Sequence, residues 1–285
     1  VETGNTIAIN AAENVTANVT ISDVNINTSG AAVSTNGKGN VNIELDGINT
    51  LKSGREHAGL EKSGDGKLTI TDENGNGKLI ATGGDYGAGI GGGSKGNGSD
   101  ITITGGEVTA TGGISASGIG GGNKGNGSNI TITGGKVTAT GGIGASGIGG
   151  GEQGNGSNIT ITGGEVTAAG GTNGAGIGGG LREHGEKITV SGDATLKVQG
   201  GSGDDWDGAG AGIGNGGSLN KDFSGSLIPV NGAETEPDTS NLTTGKIEYY
   251  APGADMTKDE PTNTILGSEQ PEPVSSGETA APVEN

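Results

Sequence analysis

Residues 89–117 read GIGGGSKGNGSDITITGGEVTATGGISAS, and residues 118–146 repeat that string with four changes. Ser94 becomes Asn123, Asp100 becomes Asn129, Glu107 becomes Lys136 and Ser115 becomes Gly144. Further Gly-Ile-Gly-Gly-Gly blocks begin at Gly147 and Gly176, so the four blocks stand 29 residues apart. A degenerate fifth block, Gly212-Ile213-Gly214-Asn215-Gly216-Gly217, follows 36 residues after the fourth, and most of the excess lies between Gly203 and Gly208. Inside the unit, Ile101-Thr102-Ile103-Thr104 and Glu107-Val108-Thr109-Ala110-Thr111 alternate apolar and polar residues. Period two with β-branched residues means half-buried strands. Gly105-Gly106 between them marks a corner. Strands this short cannot fold alone, but they can stack on copies of themselves.

Composition agrees. The chain of 285 residues holds 67 glycines and only five aromatics, Tyr86, Trp206, Phe223, Tyr249 and Tyr250. A broad core of large side chains is excluded, and a narrow core of Ile, Val, Leu and Ala repeated along an axis remains. The fold expected is all-β, a parallel β-solenoid with 29-residue coils, each rising about 4.8 Å. Ile90, Ile119, Ile148 and Ile177 then form one inward ladder, and Ile101, Ile130, Ile159 and Ile188 a second. Ile103, Ile132, Ile161 and Val190 form a third, with Val108, Val137 and Val166 on the next face. Outside, Glu107, Lys136 and Glu165 stack with alternating sign, as favourable cross-strand pairs require.

Residues 1–217 are assigned to the solenoid, with degenerate coils over 1–86 and regular repeats over 87–217. Val41-Asn42-Ile43-Glu44-Leu45 and Leu68-Thr69-Ile70-Thr71 alternate as the later strands do, and Leu60 stands thirty residues before Ile90. Residues 218–251 are expected to cap the open end, with Lys246-Ile247-Glu248-Tyr249-Tyr250 as a last strand. All seven prolines lie beyond residue 228, and residues 252–285 read as a disordered, acidic, Pro-rich linker.

Ile101 through Gly113 and Gly87-Ala88-Gly89-Ile90-Gly91-Gly92-Gly93 resemble the repeats of secreted β-helical surface proteins of gut Firmicutes. They are also similar to the clostridial carbohydrate-binding-domain family. The resemblance covers roughly residues 15–217. It implies a right-handed parallel β-helix of pectate-lyase type, an extracellular location and polysaccharide binding. It brings no catalytic motif with it.

The net charge of −18 and the absence of cysteine narrow the chemistry. An acidic chain disfavours nucleic acid and anionic lipid, thiolate metal sites are excluded, and no stretch approaches a membrane span. The function expected is a non-catalytic surface, adhesin or stalk module, a monomer within a longer multidomain chain, whose partner is a polysaccharide or host glycan. No catalytic residue and no cofactor is assigned. The contact site expected is the insertion Gly203-Asp204-Asp205-Trp206-Asp207-Gly208. Trp206 offers a face to a sugar ring, while Asp204, Asp205 and Asp207 accept hydroxyls or ligate Ca²⁺. The bland alternative is an acidic turn whose Trp covers the last coil. Arg55-Glu56-His57 and Arg182-Glu183-His184 repeat one tripeptide at different coil positions, which reads as two polar corners rather than one acid–base pair. Two other functions fit the fold class. A β-helix polysaccharide lyase or hydrolase needs a matched acid–base set, which the sequence does not display. An ice-binding solenoid needs the flat Thr array of Thr102, Thr104, Thr131, Thr133, Thr160 and Thr162.

Overall fold

The computed structural model describes residues 1–221 and 227–269. Three parallel sheets run along one axis, and the chain visits them in turn, so each circuit of the three is a coil. There are about seven coils, and no helix occurs among the described residues. The first sheet runs from Ile7–Ala11 to Ile213–Gly214, the second from Thr16–Ser22 to Gly185–Val190, and the third from Asn25–Asn27 to Lys246–Tyr250.

Register follows the repeat. Ile90 pairs with Ile119 and Leu60, and Ile101 with Ile130 and Leu68. Ile177 pairs with Ile213 across the insertion. The expected ladders are the core: Ile90, Ile101, Ile103, Ile119, Ile130 and Ile132 are fully buried, as are Val108 and Ala110. Burying each Ile contributes about 1.5–3 kcal/mol. The charged column extends one coil further than its three expected members, because Lys78 sits beside Glu107 and bonds it at 2.8 Å. That bond, more than any other neighbour, holds the Glu107 carboxyl below its ordinary range.

The glycine corners have a specific steric origin. Gly120 has φ +133°, and a Cβ there would lie 2.1 Å from the Gly149 carbonyl oxygen one coil on. Other tight corners use left-handed residues with side chains, stacked in columns: Lys95, Lys124, Gln153 and Arg182 have φ of 61°, 61°, 59° and 63°. The turns at Gly96-Asn97-Gly98-Ser99 and its repeats carry an asparagine ladder. The Oδ1 of Asn97 accepts the N–H of Asn126, that of Asn126 accepts Asn155, and that of Asn155 accepts His184, at 2.8 to 3.0 Å.

The C-terminal end is covered on all three sheets. Glu234 takes the N–H groups of Gly212 and Ile213 on its two carboxylate oxygens, at 2.7 and 2.9 Å. Asp238 bridges to Thr189 on the second sheet, and Lys246–Tyr250 adds a parallel strand to the third. The linker expected from residue 252 is corrected over 252–269. Asn263–Leu266 pairs antiparallel with Lys246–Tyr250, the Lys197 ammonium bonds the Met256 carbonyl, and Ser268 N–H bonds the Leu242 carbonyl. The reason is the strand edge. The last rung presents unpaired backbone groups that a few β-compatible residues can satisfy, and Pro252 and Pro261 flank the added strand rather than interrupt it. Residues 270–285 of that expected linker lie outside the described residues.

Candidate ligand-contact surface

The insertion leaves the stack between the strands Thr195–Gln199 and Ile213–Gly214. Its turn is closed by Asp204, whose Oδ1 accepts the N–H groups of Asp207 at 2.8 Å and Trp206 at 2.9 Å. Those donors, Asp207 first, hold the Asp204 carboxyl below its ordinary value. Asp207 points inward and is 4% exposed. The Arg182 guanidinium grips it with two hydrogen bonds, Nε to Oδ1 and Nη2 to Oδ2, both 2.8 Å. Beneath them the buried Asn173 amide donates to the carbonyls of Asp207 and Gly208 at 2.9 and 3.0 Å. Paired forks of this kind are the strong, directional ones. They leave Trp206 standing 66% exposed on a fixed base. It does not cover the last coil.

The Asp trio offered to Ca²⁺ is not assembled. Asp207 turns to Arg182, Asp204 is taken up by its own turn, and Asp205 stays exposed. Among the described residues no group of three or more His, Asp or Glu side chains converges as a metal site. Glu56 and His57 line one cavity, and Arg182, Glu183 and His184 line another. Arg55 lies over the Tyr86 ring at 5.3 Å, and His57 Nδ1 lies 2.9 Å from Glu61 Oε2, whereas Arg182 serves the insertion.

Asn173 and Arg182 are the supporting residues that reading the sequence missed. Arg182 stood in a tripeptide taken as a polar corner, and its partner lies 25 residues away in an insertion whose path the repeat does not fix. Also missed were Ile114 and Ile143, which are 50% and 60% exposed. They occupy the corner column that continues through Thr172 and Ser202 into the insertion, as the bonds Gly144 N–H to Thr172 and Asn173 N–H to Ser202 show. Two apolar corners, Ile114 and Ile143, are thus followed along the axis by the polar corners Thr172 and Ser202, where the insertion begins. The Thr columns are in register, Thr102 with Thr131 and Thr160, but Thr102 is only 8% exposed.

A family model described as Beta helix repeat matches residues 74–94, 101–123, 130–152 and 159–181. Over those four segments the chain is similar to β-helix repeat proteins. The last three matches step by 29 residues and reproduce the coil spacing of the stack. No curated protein and no solved structure matches the chain.

Proposed function

We propose that this chain is a non-catalytic, extracellular rod module of a longer surface protein, and that it contacts neutral glycan through the insertion loop. The observation that carries the reading is Trp206, exposed on a loop fixed by Arg182, Asp207 and Asn173. Solvent exposure of a large apolar ring has no folding benefit, and holding that ring in one place removes the ordering cost from binding. An indole face suits the apolar face of a pyranose. Exposed Asp204 and Asp205 beside it disfavour an acidic sugar. The rest of the stack supplies reach, because each coil adds about 4.8 Å of length.

A glycan array followed by calorimetry tests this. The wild-type chain should bind a neutral polysaccharide weakly. Trp206→Ala should lose roughly tenfold or more in affinity, which is about 1.4 kcal/mol, with the strand circular dichroism unchanged. Arg182→Ala should weaken the same binding by loosening the loop. Undiminished binding by Trp206→Ala would remove the loop from the reading. Release of new reducing ends from any polysaccharide would replace the rod with an enzyme.

A further inference from the structure

The cavity with the densest mixed chemistry lies toward the other end of the stack. It holds about 530 Å³, and its ionisable lining is Glu56, His57, Glu61, Lys62 and Asp65. Lys62 is out of place by the rules of the fold. In Leu60–Lys62 the burial alternates, so Lys62 takes an inward position, and it is 6% exposed. The preceding coil places Thr35 there. A buried ammonium costs several kcal/mol unless its donors are satisfied. Lys62 donates one hydrogen bond among the described residues, to the Gly64 carbonyl at 2.6 Å, and an ammonium has three N–H groups. Burial lowers its pKa in spite of Asp100 and Asp65 nearby.

His57 beside it is held in one orientation. Its Nδ1 meets Glu61 Oε2 at 2.9 Å. The same carboxylate also accepts the Ala58 N–H and the Ser63 hydroxyl, both at 3.1 Å. Fixing one ring nitrogen leaves Nε2 for a ligand. Glu56 is pinned as well: it has φ 73°, donates its N–H to Asp85 and accepts the N–H of Ser94.

We propose that this cavity is a second binding site, for a neutral, hydroxyl-rich ligand of the size of a sugar unit. The mixture of groups decides the class. Glu56, Glu61 and Asp65 repel a uronate or a phosphate, and the Lys62 ammonium near Asp65 already supplies the cation those carboxylates would attract. A diol does what no ion can do there, donating to the carboxylates and to the free His57 Nε2 while accepting from Lys62. Five rungs separate Leu60 from Ile213, about 24 Å along the axis. The intervening surface is a polar groove that shares Asn97 with this cavity and runs past Asn126 and Asn155 to His184, next to Arg182. A saccharide chain lying along the rod would reach both places. The cavity rests on its own geometry and does not need Trp206.

The chain has two histidines, so isotope labelling of histidine gives two ring signals, His57 and His184. Three probes are titrated at millimolar concentration: a neutral β-linked gluco-oligosaccharide, an oligogalacturonate and a chitosan oligomer. The neutral probe should shift the His57 signal. Lys62→Met should fold and weaken that response by roughly tenfold, and Lys62→Gln, which keeps a donor toward Gly64, should weaken it less. Trp206→Ala should leave the His57 response in place, whatever it does to the affinity of longer chains. Absence of a His57 shift with all three probes overturns the site. A larger shift with the galacturonate or the chitosan overturns its assigned class, and an undiminished response in both Lys62 variants overturns its assigned chemistry. Loss of the response in Trp206→Ala would make the cavity an appendage of the loop and overturn its independence.

Discussion

Replacing Gly120 by Ala tests the steric logic of the corners. The new Cβ would lie 2.1 Å from the Gly149 oxygen and 3.0 Å from its carbonyl carbon. Relief requires the rung to open by about 1 Å, since carbon–oxygen contacts settle near 3.3 Å or beyond. Two ladder bonds flank the site, Ile119 N–H to Gly147 at 3.0 Å and Gly121 N–H to Gly149 at 2.9 Å. Losing both removes about 0.5–1.5 kcal/mol each. Holding an alanine at φ +133° adds about 1–3 kcal/mol. Together the substitution should destabilise the stack by roughly 2–6 kcal/mol. Urea unfolding followed by the strand circular dichroism measures this. Ser115→Gly is the matched control. Ser115 sits at φ 65°, and the equivalent residue one coil on is already Gly144, so this change should leave the midpoint equal or slightly raised. A Gly120→Ala protein that unfolds at the wild-type midpoint would refute the close-approach account of these glycines.

Asn126→Ala should remove the acceptor of the Asn155 N–H, costing about 1 kcal/mol and speeding hydrogen exchange at Asn155; unchanged protection there would mean the asparagine ladder is decorative. Ending the chain after residue 251 uncovers the edge of Lys246–Tyr250, so concentration-dependent association should appear in light scattering. A monomeric product as stable as the parent would contradict the role given to Asn263–Leu266. Lys62 sets a pH dependence. Burial puts its folded pKa below the ordinary 10.5, so between the two values the unfolded chain binds more protons and stability rises with pH. The wild type should therefore gain stability relative to Lys62→Met as pH climbs toward 10.5; denaturation midpoints that run parallel in the two proteins would count against a charged, buried Lys62.

The stack was legible because it depends on spacing alone. Alternation in Ile101-Thr102-Ile103-Thr104 and a 29-residue recurrence determine both the inward face and the partner of each strand. Leu60 could be placed beneath Ile90 by nearly the same count, thirty residues. The candidate sites were legible only in part. The insertion announced itself by breaking the repeat, but its sequence left two readings for Trp206, an exposed ring or a cover over the last coil, and the ring is exposed. The direction in which Asp207 points depends on Arg182, and no periodicity links those two residues. Lys62 was hidden for a similar reason. In the degenerate coils an inward charge looks like an outward one until the phase of the alternation is fixed by neighbours on both sides. The strand Asn263–Leu266 was lost in a Pro- and Glu-rich context, because composition describes what a segment can bury and not which open edge lies within its reach.

Successive coils should lie in register along one straight, rigid axis. The chain contains no cysteine, so two introduced cysteines can carry spin labels without interference. Thr69 and Thr189 face outward on the second sheet and are linked by direct pairing through Thr102, Thr131 and Thr160. Four rungs separate them, about 19 Å, although 120 residues of chain lie between. Pulsed electron–electron distance measurement on the Thr69→Cys, Thr189→Cys protein should give one narrow distribution centred near that value. A broad distribution, or a centre well away from four strand spacings, would contradict the stack.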